Sequence, residues 1–230
     1  MRRAVLAFVL AASAAAIGLG PLVETLAANV GRERPGVVSF ELAGAPAGPT
    51  AEVRVALWLG RHSAELDRAE RRFGIDRRAI GAAIAYEALA DPRTGTYLYA
   101  ARFSGPGKVH FRENRFSEGD PSAKQVEDLG LMPHLDMVSR RAALERPAVA
   151  IGYIAAIMSA FVHDDPGHAA EVRCADAHLV TLYTAWKPSD FAGRSVASVS
   201  DNAAGEWTAR HADYLTAALG APAAPLCGSS

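Results

Sequence analysis

The stretch RRAIGAAIAYEALA, residues 77–90, decides the fold that this sequence predicts. Its apolar residues recur at helical spacing, and a single acid interrupts them after the two leading arginines. Asp76 stands where a helix N-cap is expected, and Asp91-Pro92 is typical of a helix end. We therefore expect a helix over residues 77–90 that packs into the core.

Glu87 is that single acid, and it shares one helical stripe with Ile80 and Ile84. Burying a lone carboxylate is costly unless it is paired or protonated. Desolvation raises the pKa of a carboxyl group, which is what a general acid at neutral pH needs. Two other interpretations stay open: a buried acid paired with an arginine of the same domain, or a helix end where Glu87 reaches water.

Amphipathic and apolar segments predict further helices along the rest of the chain. They span residues 51–73, 121–130, 134–144, 147–163, 169–186 and 203–219. A polar, glycine-rich loop region over residues 93–120 lies between the predicted helices 77–90 and 121–130. The fold class is therefore mostly α, with one helical domain over residues 51–220.

The N-terminus has the layout of an export signal, because Met1-Arg2-Arg3 precedes an apolar run. We expect residues 1–28 to be a signal peptide or a membrane anchor, with inner-membrane anchoring through residues 4–23 as one possibility. Residues 29–50 resemble a linker, and residues 221–230 a mobile tail. The domain is thus expected in the periplasm or elsewhere in the cell envelope.

Charge and composition exclude several classes of function. The formal net charge of −1 provides no nucleic-acid signal, and no nucleic-acid partner is predicted. The basic run over residues 68–78 is interspersed with acids, which favours a solvated helix face. Cys174 and Cys227 either form one disulfide or stay free. No Cys/His spacing is typical of zinc, so neither a metal nor a cofactor is predicted.

Two further segments contain candidate site residues. The two glycines of residues 105–110 allow a close backbone approach to a ligand or a strand, or they simply form a turn. No strand precedes this segment and no Lys-Ser/Thr pair follows it, so it is not a phosphate loop. Tyr183 lies on the apolar segment 179–186. Its hydroxyl group is either satisfied within the core or holds a carboxyl group.

Taken in order, these segments resemble the lysozyme-like superfamily, in its lytic transglycosylase and goose-type lysozyme branch. Residues 73–77 and Glu87 are similar to the family's Tyr-Gly-Val-Asp-Pro and Ala-x-x-x-Glu-Ser motifs. Residues 107–110, after Ser104, are similar in place to a Gly-Leu-Met-Gln turn. Residues 182–186 are similar to Ala-Tyr-Asn-Ala-Gly. The resemblance implies a lysozyme-like fold for the helical domain.

The resemblance also implies a function. Glu87 would be the catalytic general acid and base that cleaves peptidoglycan glycan strands, and Tyr183 would position it. The residues expected at the substrate are Ser104, Gly107, His110, Tyr183 and Trp186. Glycosidases usually need a second carboxylate, whereas lytic transglycosylases use one Glu as acid and then as base. The candidates for a second acid are Glu113, Glu118 and Asp120, although each is expected to be a solvated acid of the loop.

Four motif positions differ from the family pattern: Ala88 replaces Ser, His110 replaces Gln, Thr184 replaces Asn and Trp186 replaces Gly. These differences keep a second function open, that of a non-catalytic lysozyme-like module that binds glycan or another envelope protein. A helical scaffold with Glu87 in a closed ion pair is the third possibility.

Overall fold

The computed structural model describes residues 50–90, 121–191, 195–220 and 226–227 of the 230-residue chain. Of these residues, 76% are helical and none belongs to a strand, which confirms the mostly-α prediction. The predicted export or anchor segment, the linker up to residue 49 and the glycine-rich loop region lie outside the described residues.

The helices have the following bounds in chain order. They are Ala51–Arg61 (α1), Ser63–Phe73 (α2), Arg77–Leu89 (α3), Pro121–Asp128 (α4), Met137–Leu144 (α5), Pro147–Asp164 (α6), Ala169–Arg173 (α7), Asp176–Ala185 (α8), Ala203–Arg210 (α9) and Ala212–Leu219 (α10). Two short 3-10 helices, Pro188–Phe191 (η1) and Val196–Ser198 (η2), lie between α8 and α9.

Helix α3 is one of two helices at the centre of the described structure. Gly74 ends α2 in the left-handed region at φ 63°, and Asp76 then caps α3 by accepting a 2.7 Å hydrogen bond from the backbone N–H of Arg78. Every residue from Ala79 to Ala88 is buried. The helix packs against α1, α2, α6, α8, α9 and α10, so almost no part of it faces solvent.

Helix α6 is the second central helix and packs against α2, α3, α4, α5, α7, α8 and η1. Pro147 opens it at a position where its missing N–H costs nothing. In the described part of the chain it is the one helix long and apolar enough to cross a membrane. Most of it is buried inside the domain, which accounts for its apolar composition.

Three predicted helices are each divided in two, which the sequence periodicity does not predict. Two of the breaks occur at a histidine that follows a tryptophan by four residues. The ring of His62 lies 4.3 Å from that of Trp58, and the ring of His211 stacks 4.2 Å from that of Trp207. His211 Nδ1 also contacts the Trp207 carbonyl oxygen at 2.7 Å, and both histidines leave helical geometry.

The two ends of the described domain are joined by packing and hydrogen bonds. Helix α1 packs against α10, and the Tyr214 hydroxyl donates a 2.9 Å hydrogen bond to the carbonyl oxygen of Glu52. The buried Arg77 guanidinium donates to Asp67 Oδ1 at 2.7 Å and to the carbonyl oxygens at the end of α10, including that of Gly220. The predicted solvated face is therefore wrong for Arg77, which is buried because its charge neutralises the C-terminus of α10.

The two cysteines form a disulfide, which resolves the alternative that the sequence left open. Cys174 and Cys227 are bonded with their Cα atoms 5.7 Å apart, and 53 residues separate them along the chain. The bond attaches the C-terminal segment 226–227 to the short connection between α7 and α8.

Candidate functional site

Glu87 lies in the last turn of α3 and is 7% exposed. The other members of its stripe are even more deeply buried, with Ile80 at 0% and Ile84 at 1% exposure. The carboxyl group is therefore on the face that packs inward, as the spacing predicted.

Helix α8, which bears Tyr183, packs directly against α3. The N-termini of the two helices meet at Arg78, whose Nε contacts Asp176 Oδ2 at 3.2 Å and whose Nη2 contacts Asp76 Oδ2 at 3.2 Å. With a rise of about 1.5 Å per residue, Glu87 lies about 14 Å along α3 from Arg78, and Tyr183 lies about 10 Å along α8 from Asp176. Both candidate residues are thus displaced towards the C-terminal ends of a packed helix pair.

The aromatic residues at the end of α8 are divided between core and solvent. Tyr183 is half-buried and packs against the core. Trp186 follows the helix and is 42% exposed, with its ring edge-to-face to Phe191 at 5.5 Å. An exposed indole held by a second ring is a suitable platform for stacking against a sugar.

Thr184 replaces the asparagine of the resembling motif, and the structure shows what holds it. Its hydroxyl group donates a 2.8 Å hydrogen bond to the Val180 carbonyl oxygen and accepts one of 3.2 Å from Asn202 Nδ2. Asn202 caps α9 through the backbone N–H groups of Ala204 and Gly205. Thr184 therefore links α8 to the start of α9.

The remaining predicted site residues lie outside the described residues. These are the substrate-binding candidates Ser104, Gly107 and His110 and the candidate second acids Glu113, Glu118 and Asp120. The described structure thus brings together the helices of Glu87 and Tyr183, and the role of the glycine-rich loop stays a prediction.

A buried ion pair that the sequence did not predict joins α4, α5 and α6. Glu127, with a fully buried side chain, binds Arg140 through Nε at 2.6 Å and Nη2 at 2.7 Å, and accepts a 2.6 Å hydrogen bond from the Tyr153 hydroxyl. Burial alone would raise the pKa of Glu127, but these hydrogen bonds lower it overall. This acid is therefore a fixed anion in the core and is unsuited to proton transfer.

A Ser-His-Asp cluster lies at the C-terminus of α6. Ser195 Oγ donates to Asp165 Oδ2 at 2.5 Å, and His168 Nδ1 lies 3.0 Å from Asp165 Oδ1 and 3.2 Å from Ser195 Oγ. A serine relay needs the serine and the aspartate on opposite ring nitrogens, whereas here both contact Nδ1. The hydrogen bonds from Ser195 and His168 lower the pKa of Asp165 to about 2, so this cluster anchors η2 and does not activate the serine.

A third cluster surrounds Asp176 at the start of α8. Burial is the main cause that raises the pKa of Asp176 to about 7; repulsion from Asp76 and Glu70 adds to it, and Arg78 opposes it. The partners come from α2 and α3, more than 90 residues away in sequence. No local spacing pattern indicates such a group.

Comparison with known proteins assigns no family to this chain. No protein-family profile, curated protein or solved structure matches this chain. Within the described ranges, no group of three or more His, Cys, Asp or Glu side chains is arranged to hold a metal ion. The functional proposal therefore rests on the residues and geometry described above.

Proposed function

We propose that this protein is a cell-envelope enzyme that cleaves the glycan strands of peptidoglycan, with Glu87 as general acid and base. The observation that carries the proposal is the 7% exposure of Glu87 on an otherwise apolar, buried helix. The packing of that helix against α8, which bears Tyr183, supports it further. The domain is lysozyme-like in this proposal.

In the proposed reaction, protonated Glu87 donates its proton to the glycosidic oxygen as the bond to the anomeric carbon breaks. The resulting Glu87 carboxylate then accepts a proton from the attacking group. That group is a water molecule in hydrolysis, or a hydroxyl group of the same muramyl sugar when an anhydro product forms. Tyr183 orients the carboxyl group, and Ser104, Gly107, His110 and Trp186 contact the sugars.

The proposed location is the periplasm or another part of the cell envelope, after export through residues 1–28 or with anchoring through residues 4–23. The disulfide between Cys174 and Cys227 supports this location, because structural disulfides persist in oxidising compartments. Fractionation of cells that produce the full chain tests this, since export predicts the protein in the periplasmic or membrane fraction.

A second function, glycan or envelope-protein binding without turnover, is favoured by two departures from the family motif. Ala88 is fully buried where the family has serine, so no hydroxyl group follows Glu87. Thr184 uses its hydroxyl group to link α8 with Asn202, so it serves the fold. Both residues suit a scaffold that keeps the family's shape without its chemistry.

Digestion of purified sacculi separates the two functions. We expect the wild type to release soluble muropeptides, Glu87→Gln to release none, and Glu206→Gln to match the wild type, since Glu206 is an exposed acid on α9. Circular dichroism checks that each variant is folded. Sedimentation with sacculi without turnover by the wild type supports the binding module. A wild type that neither binds nor digests sacculi contradicts both glycan cleavage and glycan binding.

A further inference from the structure

Four charged side chains meet where α2, α3 and α8 converge, and we name this group the Asp176 junction. Its carboxyl groups are those of Glu70, Asp76 and Asp176, and its guanidinium group is that of Arg78; Arg173 of α7 lies beside Gly74, at the end of α2. Arg78 bridges two of the carboxyl groups, with 3.2 Å contacts to Asp76 Oδ2 and to Asp176 Oδ2. The junction thus joins the first turn of α3 to the first turn of α8.

The hydrogen bonding of the junction is incomplete. Asp176 Oδ1 is buried without a hydrogen-bond partner, and so is Arg173 Nε, whose guanidinium group lies over Gly74. An ionised carboxylate in this position has lost hydration that its neighbours only partly replace. A neutral carboxyl group loses much less hydration free energy on burial, so protonation of Asp176 removes most of this desolvation cost.

The neighbouring charges disfavour ionisation of Asp176, as burial does. Asp76 of α3 and Glu70 of α2 repel a negative charge on Asp176, and only Arg78 attracts it. Among the described residues, α9 and α6, which also pack on α8, supply no charge that acts on this carboxyl group. Burial likewise raises the pKa of Glu70, and repulsion from Asp76 adds to it, so a second carboxyl group of the junction disfavours ionisation.

We propose that the Asp176 junction is a proton-dependent contact between α3 and α8, tight when Asp176 is neutral and looser when Asp176 ionises. Proton uptake by Asp176 removes one of the three negative charges of the junction, so that Arg78 then pairs with Asp76 alone. Proton release restores repulsion between the two helix N-termini. Because α3 bears Glu87 and α8 bears Tyr183, the junction regulates how the candidate site is assembled, and this last step rests on the proposed function.

The surroundings of the junction keep the movement local. The disulfide at Cys174, two residues before Asp176, fixes the connection that leads into α8. The backbone of Leu226, beside the other half of the disulfide, forms a hydrogen bond with the Glu70 carboxylate. The change on ionisation is therefore expected in the first turn of α8, and not as an opening of the whole domain.

The titration of Asp176 tests the junction directly, with its side-chain carboxyl carbon followed by NMR in the folded full chain. We expect a midpoint near neutral pH in the wild type. Arg78→Gln should raise the midpoint by about one pH unit, because the one attracting charge is lost. Asp76→Asn should lower it by a similar amount of about one pH unit while keeping a competent N-cap. A wild-type midpoint close to that of a free aspartate, or no movement in either variant, overturns the proposal.

Amide hydrogen exchange tests the mechanical consequence. As pH rises from about 6 to about 8, protection in the first turn of α8 should fall relative to the first turn of α10, after correction for intrinsic exchange. Asp176→Asn should abolish this dependence. Asp213→Asn, which changes an exposed aspartate in the first turn of α10, should retain it. The same pH profile in Asp176→Asn as in the wild type overturns the proposal, and neither readout depends on glycan cleavage.

Discussion

Replacing Gly205 with alanine tests how closely α8 and α9 pack. A Cβ atom at this position would lie 2.3 Å from Thr181 Oγ1 and 2.7 Å from the carbonyl oxygen of Ala177. The second contact is with backbone, so it cannot be relieved by a change of rotamer. The two helices must therefore move apart, which strains the hydrogen bonds of Thr181 with Asp201 and Asn202.

The expected loss of stability in Gly205→Ala is the difference between two opposing contributions. Alanine in a helix is favoured over glycine by about 1 kcal/mol. Overpacking a close interface costs about 1–3 kcal/mol and occasionally more. Two distances below normal contact place Gly205→Ala at or above the upper end of that range, so we expect a net loss of about 2 kcal/mol. For a domain of this size that lowers Tm by about 4–8 °C.

Urea denaturation followed by circular dichroism measures the effect, with the m-value checked for constancy. Gly152→Ala in α6 is the matched control, because its Cβ would lie 3.6 Å from Met132 Cε, an ordinary contact. We expect that variant to be as stable as the wild type or slightly more stable. Thr181→Ala combined with Gly205→Ala should recover only part of the loss, since the Ala177 carbonyl oxygen remains. Equal stability of the two glycine variants would refute the packing argument.

Three further predictions concern stability. Changing both cysteines to serine should lower the unfolding free energy by about 4 kcal/mol, from the loop entropy of the 53-residue separation, and adding dithiothreitol to the wild type should reproduce the loss in denaturant titrations. Arg140→Met should destabilise by about 3–5 kcal/mol, because it leaves the Glu127 carboxylate buried and unpaired, and Arg140→Met with Glu127→Leu should restore much of that loss. Asp165 raises the pKa of His168, so the stabilisation by His168 is complete below the pKa of the unfolded state and is lost as pH rises through the pKa of the folded state. In a plot of Tm against pH, His168→Gln should remove this decline, and an unchanged profile would contradict the prediction.

The sequence predicted well those features that depend on neighbouring residues. The cap at Asp76, the end of α2 at Gly74 and the burial of the Glu87 stripe are all encoded within one or two turns. The mostly helical class followed for the same reason. The breaks at His62 and His211 escaped prediction because they depend on ring contacts with a preceding tryptophan, which hydropathy patterns do not register.

The side-chain clusters could not be predicted, because their members meet only after the helices have packed. Glu127 meets Tyr153 across 26 residues, and Asp165 meets Ser195 across 30. Arg77 meets Gly220 across 143 residues, which is why a basic run that suggests a solvated face contains a buried arginine. For Glu87, the residue spacing predicted burial, whereas its approach to Tyr183 was implied only by the family resemblance; the structure shows that the two helices pack against each other.

The pairing of α1 with α10 has a consequence for the connectivity of the domain. Since the Tyr214 hydroxyl group reaches back to Glu52, the first and last helices of the described domain are neighbours in space. The two helices run in the same direction, because Tyr214 reaches Glu52 near the start of α1 while the carbonyl oxygen of Ala218 lies close to Gly60 near its end. A linker that joined the end of α10 to the start of α1 would therefore have to run back along the pair. Among the described helices, this pairing joins the two that lie farthest apart in sequence, so α1 acquires its contact with α10 only after α10 has left the ribosome, later than its contacts with α2 and α3.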